Sequence, residues 1–334
     1  MPATQLQRKR KSEADLNKPS WLIIALYTVG CSGASAADLP IYKAPPTSSS
    51  VGWSPSLTAY TLFDVYSFRS AFPGHEFKAR GYQSTSGLNY TLTPQWTLGG
   101  GLIYNYSDTN LTYLGPAARS DSDGLTGFVT TAYTIPDLFT VGGSAGWGKA
   151  WTHQSRFLGG VQSIADYDAT VHFASIYISK SLQYGNLFVT PAVRLLHRES
   201  KTEAYFEPTI GVFNPEQTST LGELSYGSQF SLAIPTTSGW TYYPTLEVFG
   251  LHHFKLPLYQ SERNGLDLKA GLSATVGSWS MGVAYMTILG LDSYRDFHGG
   301  RIFLSRAFGG PPQAAPSLRR EEGYTYLRPT AVNR

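Results

Sequence analysis

The sequence predicts an all-β chain, a transmembrane up-and-down antiparallel β-barrel of about twelve strands. Three observations lead there. Hydrophobic residues alternate with period two over segment after segment. Composition combines 14% aromatic residues, 22 Tyr and 34 Gly with only 15% charged residues, at a slightly negative mean hydropathy. Beyond the amino terminus there is no run of about 20 apolar residues, the length a spanning helix needs. Low charge with abundant Tyr and Gly is unusual for a soluble enzyme of 334 residues and fits strands that show one face to lipid and a small, polar face to a lumen.

The clearest segment is 81–106. Trp96, Leu98, Gly100, Leu102, Tyr104 and Tyr106 share one face; Thr97, Gly99, Gly101 and Asn105 share the other, with Ile103 the one apolar exception. Just before it, Leu88, Tyr90 and Leu92 alternate against Gly87, Asn89 and Thr91, and Thr93-Pro94-Gln95 makes the turn. Proline there pre-sets the backbone and removes no ladder hydrogen bond.

At the amino terminus, Arg8, Lys9, Arg10 and Lys11 form a basic region, residues 21–29 (WLIIALYTV) an apolar one, and Ala34-Ser35-Ala36 a small-residue cleavage site. This is the layout of a cleaved secretory signal peptide over residues 1–36. Cleavage there removes Cys31, the one cysteine, and with it disulfides and thiol chemistry. It also removes five Lys/Arg and two Asp/Glu from totals of 26 and 23, leaving 21 of each. The mature chain is then formally neutral, and the charge balance gives no reason to expect nucleic acid as a partner. Residues 37–56, rich in Pro and Ser and without periodicity, read as a periplasmic lead-in.

The barrel is expected over 57–308. Its alternating segments run 57–68, 81–92, 95–106, 125–135, 138–151, 169–182, 187–198, 219–234 and 240–254; a shorter stretch, 256–264, comes next, and 266–276, 279–291 and 298–308 complete the set. Turns such as Pro136-Asp137, Tyr184-Gly185-Asn186 and Gly277-Ser278 are brief, whereas the connections at the opposite end read as mostly longer and polar, the longest being 199–217. Short periplasmic turns with long external loops are the mark of membrane barrels. Parity assigns Leu187, Val189, Val193, Leu195, Trp240, Tyr242, Leu246, Val248, Leu266, Leu268, Ala270, Leu272 and Val276 to lipid. It sends Thr241, Tyr243, Thr245, Ser273, Thr275 and Arg198 inward. The stretch VHFASIYISK (171–180) is ambiguous in parity. Residues 309–334 follow the last strand with Gly-Gly-Pro-Pro and no period, and read as a flexible periplasmic tail able to contact the cell wall or a periplasmic protein.

Three stretches carry a family resemblance: GGGLIYNYSDTNLTY (99–113), GWTYYPTLEVFGLHHF (239–254) and the final strand GGRIFLSRAF (299–308). They resemble an autotransporter-type outer-membrane β-domain, whose mid-barrel strand carries Pro early and His near its external end. The lead-in ADLPIYKAPP resembles the mature amino termini of small outer-membrane barrel proteins. The resemblance implies an outer-membrane location, contact with lipid, and recognition of the terminal aromatic strand ending at Phe308 by the barrel assembly machinery. With only 37–56 between signal and barrel, the reading is a passenger-less barrel serving as a membrane scaffold or narrow pore. A porin-like diffusion channel and a surface adhesin acting through external loops are the alternatives.

Charged residues predicted to face the lumen are Arg194, Glu247, Asp267, Lys269 and Arg301. A lipid-facing Arg or Lys at mid-bilayer costs about 2–4 kcal/mol, so the interior is where they belong. They either line a channel or close the barrel through cross-strand ion pairs, and the sequence leaves both open. His252 and His253 are neighbours on one strand and point to opposite faces, so they cannot chelate one ion together. His75-Glu76 and Asp292/Asp296/His298 are expected in external loops. No spacing matches a catalytic triad, an H-E-x-x-H site or a phosphate loop. The expectation is therefore no enzyme, no cofactor, no metal and no nucleic acid.

Overall fold

A computed structural model describes residues 56–72, 75–113, 118–158, 160–256, 263–291 and 295–309. The segments expected to be a signal peptide, a lead-in (as far as residue 55) and a tail (from residue 310) lie outside the described residues. Among those described, every regular element is a strand. Twelve are long: β1 (Ser56–Phe72), β2 (His75–Thr91), β3 (Trp96–Tyr113), β4 (Ala118–Ile135), β5 (Phe139–Leu158), β6 (Val161–Ser179), β8 (Leu187–Thr202), β11 (Gln217–Leu232), β13 (Thr241–Lys255), β14 (Asn264–Val276), β15 (Trp279–Leu289) and β16 (Arg295–Gly309). Four are short: β7 (Leu182–Tyr184), β9 (Tyr205–Glu207), β10 (Val212–Asn214) and β12 (Ile234–Pro235).

Each long strand pairs antiparallel with its sequence neighbours, β11 bridging β8 and β13. The ring closes where β1 meets β16, from Ser56↔Gly309 to Ser67↔His298. Closure satisfies every ladder group internally, which hydrocarbon demands because it offers no water to an open edge. β7 and β12 continue β6 and β11 after short breaks and pair with the first residues of β8 and β13. β13 ends at Lys255 and β14 starts at Asn264; of the stretch 256–264 read as a further short segment, residues 257–262 lie outside the described residues.

Strands β3, β4, β5 and β6 are 18, 18, 20 and 19 residues long, against roughly 9–11 needed to cross. Sequence reasoning ends several of them early. His75 and Glu76 lie in β2, Arg119 to Asp123 in β4, and Asp296 in β16, all between the segments read as strands. His298, read both as the first residue of the last strand and as part of a loop, lies within β16. The physical reason is that apolar alternation stops where lipid stops, whereas the hydrogen-bond ladder continues into water with Ser, Thr and Asp.

The facing follows the alternation. On β3, Leu102 is 56% exposed on the outer surface while Thr97, Ile103 and Asn105 are buried inside. Tyr242, Leu246, Leu272, Leu187, Val193 and Leu195 are exposed; Tyr243, Ser273 and Arg198 are buried. The ambiguous β6 stretch resolves with Val171, Phe173, Tyr177 and Ser179 inward and Ile176 and Ile178 outward. Its parity is hard to read because both faces carry large apolar side chains.

Those inward aromatics have a structural use. Tyr60, Tyr66, Phe128, Phe173, Tyr177 and Phe303 lie opposite Gly87, Gly81, Gly101, Gly146, Gly142 and Gly282, respectively, on neighbouring strands. A Cβ built on Gly146 would come within 2.2 Å of the Phe173 ring, and one on Gly142 within 2.4 Å of Tyr177. Each ring thus lies over a bare stretch of backbone, covering what glycine exposes. Tyr60, Leu62, Ile103, Phe128, Phe173, Phe188, Leu196, Tyr243 and Phe303 form one buried cluster inside the barrel. Gly146→Leu should prevent folding, seen as loss of heat-modifiable gel mobility, and Phe173→Ala in the same chain should restore it. Normal folding of Gly146→Leu alone would show that the ring does not lie there.

The three tryptophans expected to form a girdle lie at one end of the barrel. Trp96 and Trp279 open β3 and β15 at the short-turn end, and Trp240 immediately precedes β13. Trp240 stacks on Tyr242, with ring centroids 6.3 Å apart. Tryptophan favours the headgroup level. Lipids carrying quenchers at graded depths should therefore quench all three from one interface, and quenching of any of them mainly from mid-bilayer would break this register.

Candidate functional site: the barrel interior

Each of the five charges expected in the lumen has a partner of opposite sign in the structure. Arg301 on β16 meets Asp64 on β1, Nε to Oδ1 at 2.6 Å and Nη2 to Oδ2 at 2.8 Å, with both side chains buried. The two are register partners across the closing seam. A bidentate, charge-assisted pair of this kind fixes geometry as well as adding energy.

The other four lie on the wall formed by β8, β11, β13 and β14. Arg194 donates to Ser225 Oγ at 3.2 Å and to Glu223 Oε1 at 3.3 Å. Glu223 Oε2 lies 3.1 Å from His253 Nε2. Farther round, Lys269 Nζ is 3.3 Å from Asp267 and 3.8 Å from Glu247. The wall therefore carries two mixed-sign clusters, Arg194–Glu223–His253 and Glu247–Lys269–Asp267. Sequence reasoning missed Asp64, Glu223 and His253. Extending strict parity along β1 and β11 would have found the two carboxylates. For His253 the opposite facing of the pair was legible: His253 is buried inside, while His252 lies outside with Nδ1 2.8 Å from Asn264 Oδ1.

At the external end the expected long loop is largely structured. β9 and β10 form a small hairpin, Tyr205↔Asn214 to Glu207↔Val212, apart from the barrel sheet. It folds against the inward-facing side of β5 and β6. Arg156 of β5 donates to Glu207 Oε2 at 2.8 Å and Oε1 at 2.6 Å. Ser163 of β6 and Asn214 each donate to the same carboxylate at 2.9 Å. Glu207 and Arg156 are both buried, and Tyr205 stacks on Tyr167 with centroids 4.4 Å apart. Burial first, then the neighbouring Tyr167 and Glu207, push the Tyr205 phenol well above its ordinary pKa, so it stays neutral at physiological pH. Phe206 and Phe213, 56% and 60% exposed, remain on the hairpin's other face.

A closed antiparallel barrel with an apolar outer surface, tryptophans at its short-turn end and a charged, paired interior defines an integral membrane β-barrel. The sequence profile of the autotransporter beta-domain matches residues 65–286, and the chain belongs to that family, whose barrels sit in the outer membrane in contact with lipid. Among solved structures it resembles the translocator domain of the autotransporter NalP from Neisseria meningitidis (17% identity, TM-score 0.56, covering 90% of this chain and 98% of that one). It also resembles the β-domain of the Bordetella autotransporter BrkA (14% identity, TM-score 0.58, covering 76% and 99%). The transport unit of AIDA-I from Escherichia coli is similar too (11% identity, TM-score 0.52, covering 84% and 99%). No curated protein matches the chain in sequence.

Proposed function

We propose that this autotransporter-type barrel is a membrane scaffold whose interior is held narrow at the external mouth. The Glu207 carboxylate carries this reading, since it gathers donors from Arg156, Ser163 and Asn214 and draws the β9–β10 hairpin inward. Paired charges along the wall add to it, because each ion pair fills lumen space that hydrated groups would otherwise keep open. Proteoliposomes should exclude small neutral sugars in a swelling assay; swelling at rates typical of a general porin would overturn the reading. The porin-like alternative draws on the Glu247–Lys269–Asp267 cluster, whose partly exposed groups could set ion preference in a conducting lumen.

Export through a signal peptide cleaved after Ala36 belongs to the same reading, supported by the basic, apolar and small-residue order of residues 1–36. So does recognition by the barrel assembly machinery through β16, which ends in the outward-facing Phe308 and Gly309. Tail contact with the cell wall or a periplasmic protein is a further part of the proposal. No chemical step is assigned to the barrel.

A further inference from the structure

We propose that the outer face of β16, β1 and β2 holds a phosphorylated glycolipid of the outer leaflet, with Arg69, Lys78 and Arg80 taking its phosphate. Along the outer face of β1, Phe63 and Val65 are exposed and apolar, then come Ser67 and Arg69. On β2 the order is Leu88, Tyr82, Arg80, Lys78, and on β16 it is Leu304, Ile302, His298. Tyr82 marks the interface on this side, with ring centroids 5.8 Å from Phe63, 6.1 Å from Tyr104 and 5.4 Å from Tyr106. The cations therefore begin one step above the aromatic level, at the height of lipid headgroups.

Between them lies a cavity of about 630 Å³ lined by Arg69, Lys78, Arg80, Asn110, Asp296 and His298, among others. Arg69 and Lys78 are direct register partners, and Arg295 stands opposite Arg69 on the other side. Like charges directly across a ladder repel, and among the described side chains, which do not include that of Glu76, neither Arg69 nor Lys78 makes an ion pair. Elsewhere on the rim, Lys149 has Asp168, Lys201 has Glu216 and His153 has Asp166. Arg80 shares the buried Asp108 with Arg119, yet its own side chain stays 74% exposed. His298 bonds Tyr285 through Nδ1. Among the described side chains Asp296 is the one carboxylate lining this cavity, against Arg69, Lys78 and Arg80. An anion bridging Arg69 and Lys78 relieves their repulsion, and the apolar ridge of Phe63, Val65 and Ile302 beneath accepts acyl chains. That ridge favours a lipid over a free anion.

The proposal rests on reading the short-turn end as periplasmic, but binding to purified protein does not depend on orientation. The full chain, refolded in neutral detergent, is titrated with fluorescent diphosphorylated lipid A, with the same lipid stripped of phosphate, and with millimolar inorganic phosphate as competitor. Wild type should bind the phosphorylated lipid and not the stripped one, and inorganic phosphate should not displace it. Arg69→Gln/Lys78→Gln/Arg80→Gln should weaken binding about 100-fold, since each cation beside an anionic headgroup contributes roughly fivefold. Lys149→Gln/Lys201→Gln should leave it unchanged. Equal binding of the stripped lipid, displacement by inorganic phosphate, or an unaffected triple variant would each overturn the proposal. If the triple variant lost its folded gel mobility, the wild-type comparison of the two lipids would decide alone.

Discussion

Asp64→Ala should lower the unfolding free energy of the barrel by about 3–5 kcal/mol, because it leaves the buried Arg301 guanidinium without its counter-charge. The effect is large for where the pair sits as well as for its burial. Asp64 and Arg301 face each other between the first and last strands, the one pairing that must form across the whole length of the chain. Urea titration in micelles, followed by loss of folded mobility, measures it. Arg301→Ala should cost a similar amount from the other side. Asp64→Leu/Arg301→Met should recover most of the loss, since an apolar pair of similar volume avoids the desolvation that the ion pair has to offset. If the single variants unfolded at wild-type urea concentrations, the seam pair would contribute little and closure would rest on the ladder alone.

Glu207→Ala carries the second large effect, on permeability. It deletes the acceptor of four hydrogen bonds and strands Arg156 in a buried site. At about 3–5 kcal/mol for an unmet buried charge, the loss outweighs what a hairpin of three residue pairs gains by docking. The hairpin should swing out, chymotrypsin should nick the folded barrel after Tyr205 or Phe206, and small solutes should begin to pass. Glu207→Gln, which keeps the shape and the bonds from Ser163 within reach, should fall between. A Glu207→Ala barrel as impermeable and as protease-resistant as wild type would show that the hairpin is not what narrows the mouth.

The barrel itself was legible because its strongest signal is local. Period two runs through Trp96–Leu102 and Leu187–Leu195, and brief turns such as Gly277-Ser278 recur at one end. The five lumen charges followed from parity plus the high cost of charge in lipid. Two things were not legible. One was pairing across the seam: Asp64 and Arg301 are 237 residues apart, and nothing local joins them. The other was the inward turn of the 199–217 loop. Its apolar Tyr205, Phe206 and Phe213 suit an exposed contact surface and a folded-in constriction equally well. What decides is Glu207 meeting Arg156 and Ser163, which are brought together by strands from another part of the chain. His75, Glu76 and Asp296 were misplaced in loops for a related reason: polar strand extensions in water carry no apolar period to read.

The central claim, a barrel narrowed from within at its mouth, is tested most directly by single-channel recording of the refolded full chain in planar bilayers. Wild type should show a closed baseline with at most brief, small openings, and Glu207→Ala should convert these to sustained current. A stable open current in the nanosiemens range from the wild-type protein would contradict the account.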